Sequence, residues 1–278
     1  MVRDKLLAME TSAQPPETLE GWYALHQVFT HDASAHVSRG DARNESTQPL
    51  PSVPSDADGW SAYARLIGSR HDVLAVHLRP TLDEIGHVGR QTRCWANDHG
   101  LSLDYSFVSV TEAGLYHLTA QLAREAAQRA AEGGPIDPAE STKQLAARAS
   151  QERESPHVAR RLYPTVPPDM PYLCFYPMTK RRDAGQNWYT LTLDERSRLM
   201  LAHGQTGRRY AGRVLQIITG AIGFDAWEWG VTLFAKDPID FKKLVTDMRF
   251  DEVSAKYAEF GEFFVGKLTS PNGLLRTL

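Results

Sequence analysis

The chain has 278 residues, a length that suggests one large domain or two domains of ordinary size. It is 42% hydrophobic and 23% charged, which is enough apolar material for a true core. The formal net charge of −3 gives no electrostatic reason to expect nucleic acid or an anionic membrane as a partner. These values are typical of an ordinary soluble enzyme.

The most apolar stretch, 214–224, is too short to cross a bilayer, so we expect no membrane span. Residues 1–17 lack the apolar core and cleavage site of a signal peptide and predict a disordered N-terminus. Cys94 and Cys174 form either a single disulfide or two separate thiols. The lack of an export signal favours buried, reduced thiols and a cytoplasmic location.

The first half of the chain shows alternating strand and helix patterns. The stretch GWYALHQVFT predicts a strand, and the Pro/Ser/Asp-rich stretch 32–59 predicts a long surface insertion. A helix is then predicted over DGWSAYARLIGS, a strand over DVLAVHLRP, a helix over TLDEIGHVGRQTRCWAND and a strand over LSLDYSFVSVTE. Together these segments predict an N-terminal domain, 18–118.

An Ala/Arg/Glu-rich helix that stops at Gly133-Gly134 opens a predicted helical connector, 119–170. The second domain, 171–278, is predicted as a strand over YLCFYPMTKR, a helix over TLDERSRLMLAHGQTGRRYAGR, a hairpin of LQIITGAIGF and EWGVTLFAK, a helix over PIDFKKLVTDMRF and a last strand over FGEFFVGKL.

Both halves match the order β-α-β-β-α-β or a close relative of it. We therefore predict an α+β fold with two ferredoxin-like domains per chain, a dimeric α/β barrel of antiparallel sheets with helices on one face. The uncovered sheet face must be buried by the other half, another subunit or a ligand.

The strand YLCFYPMTK contains the first candidate site. Because side chains alternate along a strand, Leu173 and Phe175 point to one face, and Tyr176, Met178 and Lys180 point to the other. One interpretation is an edge strand whose lysine lies along apolar surface. The other is a functional group of tyrosine, methionine and lysine.

The following helix opens with the capping-box pattern Thr192-x-x-Glu195 and is predicted to end at Gly204. His203 would then be its last residue. A histidine there either caps the helix, whose dipole favours the imidazolium, or binds a metal as the neutral ring.

Three further features are open to two interpretations each. Gln216, in the apolar run VLQII, is either a satisfied core amide or a donor that faces a ligand. Ser254 follows a turn, where serine commonly bonds the local backbone. His71 and His77 offer a rival metal or haem site, but their spacing matches no ligand motif, and we interpret them as structural.

Longer strings carry a family resemblance. ARRLYP, CFYPMTKRRDAGQNWYTL and the stretch from HGQTGRRYAGRVLQIITG to RFDEVSAKYAEFGEFFVGKL resemble the coproheme decarboxylases of the chlorite dismutase-like superfamily. The close resemblance covers about 110 residues (about 161–268), and EGWYALHQVFT resembles the start of the family's N-terminal domain.

This resemblance implies a homopentamer in which each C-terminal domain binds one porphyrin. The implied substrate is iron-coproporphyrin III (coproheme), and the implied oxidant is hydrogen peroxide. Two propionates would become vinyl groups to give haem b. A transient contact with a coproporphyrin ferrochelatase is also expected.

The resemblance also implies roles for individual residues. His203 matches the axial iron ligand, Tyr176 the radical-forming tyrosine and Lys180 the lysine beside the reacting propionates. The remaining matches bind propionates, face the iron or line the pocket: Arg161, Met178, Trp188, Gln216, Trp229 and Ser254. The spacer between Arg161 and Tyr176 is one residue longer than in the family pattern.

Two other functions are compatible with the same fold. Chlorite dismutation uses a distal arginine where this chain has Gln216, and glutamine cannot supply a cationic fork. A haem carrier or sensor would not need Tyr176 or Lys180.

Overall fold

The computed structural model describes residues 13–31, 49–51, 58–134 and 138–275. The strands are β1 (Thr18–His31), β2 (Trp60–Leu66), β3 (Val73–Arg79), β4 (Leu101–Gly114), β5 (Tyr172–Lys180), β6 (Arg182–Asp183), β7 (Gln186–Asn187), β8 (Val214–Gly220), β9 (Trp229–Ala235), β10 (Ala258–Phe260) and β11 (Phe264–Thr269). The helices are α1 (Leu82–Asp98), α2 (Tyr116–Ala131), α3 (Pro138–Arg153), α4 (Pro156–Leu162), α5 (Leu193–Arg208), α6 (Ile239–Arg249), α7 (Glu252–Tyr257) and α8 (Pro271–Leu275), with a 3₁₀ turn at Trp188–Thr190.

Eight strands close into one antiparallel barrel. Their order is β5-β11-β2-β3-β1-β4-β8-β9, and β9 pairs with β5 to complete the ring. β10 pairs with the last three residues of β5, beyond the part that β11 covers. The antiparallel strands and their helices confirm the predicted α+β class. The division of the chain into two domains at 18–118 and 171–278 stays a prediction.

The barrel interior shows what covers the inner faces of the strands. Its core combines Leu74 and Val76 from the first half with Phe175, Ile217 and Phe234 from the second. Of the three candidates that the sequence left open, the other half of the chain is therefore the one that buries each inner face. Burial of this shared apolar surface is a main stabilising contribution to the barrel.

α1 begins as its sequence predicts. Thr81 caps the helix, and Glu84 reaches back to the Thr81 amide in a complete capping box. The helix lies on the outside of β1, β3 and β4. Trp95 and Ala96 pack there in a cluster with Phe29.

The prediction of a helix over DGWSAYARLIGS was wrong, because this stretch contains strand β2. Its apolar residues recur at helical spacing, but both faces of the strand are covered. Ala64 points into the barrel, whereas Tyr63 packs with Trp95 of α1 and Leu274 of α8 on the outside. Pairing with β3 and β11 fixes the strand, and pairing over such distances leaves no local sequence signal.

The predicted end of α5 was also wrong. The helix continues through Gly204 and Gly207 to Arg208, and the glycine with a positive φ (79°) is Gly212. One glycine inside a helix costs about 1 kcal/mol, which packing against α2, α6 and α7 can offset. His203 thus lies inside the helix, away from the last turn where the helix dipole is felt. The interpretation of His203 as a terminal cap loses its basis.

Three helices fill the predicted connector. α2 packs against α5, where Arg124 of α2 forms a 2.5 Å ion pair with Asp194. α3 and α4 contribute Ala149, Val158 and Leu162 to a small core with Ala113 of β4. No helix in the described ranges is long and apolar enough to cross a membrane.

Much of the predicted insertion, namely 32–48 and 52–57, lies outside the described residues, as do residues 1–12 of the predicted N-terminus. Leu50, which is described, is buried in the cluster beneath α1. Glu17 donates its amide to Thr119 of α2. Cys94 and Cys174 are free thiols, but only Cys174 is buried, so the prediction of burial was wrong for Cys94.

Candidate functional site

The outer surface of β5, β8 and β9, which we call the β5–β8–β9 face, carries most of the candidate residues. Leu173 and Phe175 point into the barrel core, as the alternation predicted. Tyr176 and Met178 point outward and pack with residues of α6 such as Leu244. The sequence therefore placed these side chains on the correct faces.

Tyr176 is buried among aromatic rings on this face. Its ring stacks on that of Phe263, with centroids 4.3 Å apart, and the ring of Phe260 lies at 5.9 Å. Burial raises the pKa of the Tyr176 phenol above its usual range, and the charge of Arg249 opposes the shift only in part. The phenol therefore keeps its proton throughout the physiological range.

Lys180 is a buried cation at the end of β5, with only 8% of its surface exposed. Its Nζ lies 4.6 Å from the centre of the Trp188 ring, a cation–π contact. Burial lowers the pKa of Lys180 to about 8, although Asp251 and Glu228 favour the charged form. Lys180 can therefore bind an anion and also give up a proton near neutral pH.

His203 is held by a carboxylate. A 2.8 Å hydrogen bond joins its Nδ1 to Oδ2 of Asp251, the N-cap of α7, whose Oδ1 accepts from the Ser254 amide. An ionised carboxylate can only accept, so Nδ1 carries a proton, and in the neutral ring Nε2 keeps its lone pair. With 29% of the side chain exposed, this imidazole is oriented and accessible to a ligand.

Asp251 connects His203 to Lys180. Its own burial disfavours the ionised form, but hydrogen bonds from His203 and Ser254, together with the charge of Lys180, hold its pKa below the usual value. One ionised carboxylate thus hydrogen-bonds the imidazole of His203 and lies within the electrostatic influence of the Lys180 cation. The predicted iron ligand and the predicted catalytic lysine belong to one cluster.

Gln216 lies half-buried on the outer side of β8, opposite Leu233 of β9. Its Nε2 would lie 3.4 Å from a Cβ added at Gly207, so α5 passes close above it. Gln216 therefore faces the helix that carries His203, outside the barrel core. This position fits a ligand-facing amide better than a core amide.

Trp229 and Met178 are paired neighbours on β9 and β5. The indole Nε1 of Trp229 donates a 2.8 Å hydrogen bond to Oε1 of Glu112 on β4. Arg161, at the end of α4, has an exposed side chain and makes no ion pair within the described part of the chain. Its charge is nevertheless felt by Glu112, which links it to Trp229.

Among the predicted residues, Arg161 is linked to the β5–β8–β9 face through the effect of its charge on Glu112. Sequence reasoning missed Asp251, Glu228 and Glu112. Asp251 shows a local signal, since Asp-x-x-Ser is a pattern of a helix N-cap, but its pairing with His203 spans 48 positions. Glu228 accepts the Lys180 amide at 2.7 Å across a similar separation.

His71 and His77 are satisfied structural residues, as predicted. The two ring nitrogens of His77 bond the hydroxyls of Ser61 and Thr92, and Nδ1 of His71 lies 3.0 Å from Asp104. Within the described residues, no group of three or more His, Cys, Asp or Glu side chains could hold a metal ion. A metal at His203 would need its other ligands from a bound molecule.

Comparisons with known proteins agree with this architecture. A haem-binding protein from Thermus thermophilus is 37% identical, with a TM-score of 0.73 over 95% of this chain and 98% of that one. A variant chlorite dismutase from Candidatus Nitrospira defluvii matches at 17% identity and a TM-score of 0.61 over 99% and 98% of the two chains, a likeness of fold. The sequence model of the family described as chlorite dismutase matches residues 39–269. The chain therefore belongs to the chlorite dismutase family.

Proposed function

We propose that this protein is a coproheme decarboxylase, which converts two propionates of iron-coproporphyrin III to vinyl groups with hydrogen peroxide and so makes haem b. The observation that carries the proposal is the cluster in which Asp251 joins His203 to Lys180, beside Tyr176 on the same face. The cluster supplies an imidazole for iron, a cation for a carboxylate and an oxidisable phenol.

The residues present fit an iron porphyrin. A porphyrin supplies four nitrogen ligands, so one protein ligand is enough, and His203 offers Nε2 while Asp251 fixes the other nitrogen. The haem-binding protein from Thermus thermophilus supports the same ligand class. When bound, the iron porphyrin would supply the redox chemistry that reduces peroxide to water.

Each decarboxylation is an oxidation whose atoms and charges balance with one peroxide. The side chain –CH2–CH2–COO⁻, one H2O2 and one proton give –CH=CH2, CO2 and two H2O, so a propionate loses two electrons. We assign to Tyr176 the transfer of a hydrogen atom from the propionate, because its phenol is buried and keeps its proton until it is oxidised. Lys180, with a pKa of about 8, binds the carboxylate and supplies the proton.

The test is stepwise addition of peroxide to the protein loaded with iron-coproporphyrin III, with the porphyrins followed by mass spectrometry. We expect two successive losses, each of one CO2 and two hydrogens. Binding without a mass change would instead indicate a haem carrier or sensor. Conversion of chlorite to O2 would indicate a dismutase-like activity, for which the family and the fold are equally suited.

Replacement of Tyr176 by phenylalanine isolates the role of the phenol. We expect Tyr176→Phe to slow the first decarboxylation by about 100-fold or more, equivalent to about 2.7 kcal/mol of lost transition-state stabilisation, with nearly unchanged binding of the porphyrin. Tyr172→Phe is the matched control, because Tyr172 lies on the same face four residues earlier in β5. Equal rates in the two variants would contradict the role of Tyr176.

A further inference from the structure

Glu112 is a carboxyl group on the outer surface of the barrel that the proposed reaction does not use. It lies on β4, whose pairing partner β8 belongs to the β5–β8–β9 face. Its Oε1 accepts the indole N–H of Trp229. A Cβ added at Gly220 would lie 2.2 Å from Oε2, so the carboxyl group lies directly across the glycine backbone. Oε1 is thus held by a hydrogen bond, and Oε2 lies against the backbone of β8.

The charged and titratable groups around Glu112 come from three elements. Glu20 of β1 is its direct partner across the strand pair, Arg161 approaches from α4, and Tyr116 lies at the start of α2. Burial raises the pKa of Glu112 above its usual value, and Glu20 reinforces the shift. The hydrogen bond from Trp229 and the charge of Arg161 oppose it. The balance already favours a protonated carboxyl more than in water.

We propose that Glu112 takes up one proton when a carboxylate of a porphyrin binds at the end of the face between Arg161 and Trp229. The ligand carboxylate and the Glu112 carboxyl then share that proton in a hydrogen bond. The inference rests on the proposed function only for the identity of the ligand as a carboxylated porphyrin. Glu112 becomes a residue that responds to the presence of a carboxylate at this one position of the bound molecule.

The proton comes from solvent on binding and returns to solvent on release, so no redox partner is involved. Two carboxylates in one poorly hydrated site cannot both remain ionised, and the pair titrates as a unit. Because Trp229 occupies Oε1, the proton resides on Oε2. A porphyrin with a carboxylate at this position would therefore bind with more proton uptake than one without it, and acid would favour its binding.

The experiment is calorimetric titration of the full chain with iron-coproporphyrin III in two buffers of different ionisation enthalpy. The wild type should take up about one proton on binding, and log Kd should change by about one per pH unit. Glu112→Gln keeps an oxygen for Trp229 but cannot titrate, so its uptake should fall by about one proton. Glu20→Gln leaves the Glu112 carboxyl in place and removes only the neighbouring charge that reinforces its shift, so it should reduce the uptake by less than Glu112→Gln does.

A second variant gives an independent test, since Gly220→Ala places a methyl group where Oε2 lies and should also reduce the uptake. Unchanged proton uptake in Glu112→Gln would overturn the inference even if the protein decarboxylates coproheme. Loss of uptake in Glu112→Gln would support it even if no decarboxylation occurs. Failure of the wild type to bind either iron-coproporphyrin III or haem b would overturn both proposals.

Discussion

Two helices on the outside of the barrel begin in the same way, but what lies beneath them differs. α1 packs directly on β1, β3 and β4, whereas α5 packs on α2, α6 and α7 and approaches the strands where Gly207 lies close to Gln216 of β8. Both helices begin with a complete capping box, formed by Thr81 with Glu84 and by Thr192 with Glu195. Under α1, His77 and Thr92 are hydrogen-bonded to each other within a closed core. Under α5, several polar groups remain accessible to a ligand.

One histidine on each side, His77 and His203, illustrates this difference. His77 under α1 is 0% exposed and has partners for both ring nitrogens, and its burial lowers its pKa to about 3. His203 on α5 is partly exposed, and within the described residues only its Nδ1 has a partner. His77 is therefore part of a closed core, whereas His203 leaves one ring nitrogen without a partner among the described residues.

The largest expected effect comes from removal of these two imidazoles in turn. His203→Ala should abolish imidazole ligation of a bound iron porphyrin, with a small loss of folding stability, because the side chain is partly exposed. His77→Ala should leave ligation intact and lower the free energy of unfolding by about 2–4 kcal/mol, because it creates a cavity and removes one hydrogen-bond partner from each of two hydroxyls. Absorption spectra of the porphyrin complex and urea unfolding would measure the two effects.

The opposite results would contradict the roles assigned to His203 and His77. An unaltered iron spectrum in His203→Ala would show that another group ligates the iron. Loss of ligation in His77→Ala, with unchanged stability, would place the porphyrin under α1.

The sequence predicted what depends on local pattern and missed what depends on distant pairing. Alternation in β5 placed Tyr176 and Lys180 on the outer face, and T-x-x-E located the start of α5. The β2 segment was misassigned, because its two covered faces are created by β3, β11 and the packing of α1 and α8. Asp251 was missed because its role comes from an approach of α7 to α5 that no spacing reveals.

Acid should lower the stability of the fold, because the first half contains a second buried histidine. His26 of β1 stacks on Phe175 inside the barrel, its Nδ1 has no partner among the described residues, and burial lowers its pKa to about 3. The unfolded chain, with a histidine pKa near 6.5, binds more protons. His26 and His77 therefore stabilise the fold fully above about pH 6.5 and progressively less as the pH falls toward 3.

Within that window, each of these histidines should lower the free energy of unfolding by about 1.4 kcal/mol for every unit by which the pH falls. His26→Gln should reduce the slope of unfolding free energy between pH 6 and 4.5 by about this amount, measured by urea unfolding. His87→Gln, at an exposed position on α1, is the control and should leave the slope unchanged. An equal slope in His26→Gln and the wild type would mean that His26 is already protonated in the fold.

The smallest expected effect concerns the space between each helix and the side chains beneath it. A Cβ at Gly89 of α1 would meet Leu25 at 2.6 Å, whereas one at Gly207 of α5 would meet the flexible ends of Met248 and Gln216 at 3.1 and 3.4 Å. Gly89→Ala should therefore cost about 1–3 kcal/mol of stability by overpacking. Gly207→Ala should change stability by less than about 1 kcal/mol, because the gain in helix propensity offsets a mild contact.

Gly207→Ala should still displace Gln216 and alter porphyrin affinity, which Gly89→Ala should not. Equal stability costs with no change in affinity would mean that α5 covers its strands as tightly as α1 does, and that the β5–β8–β9 face is closed to a ligand.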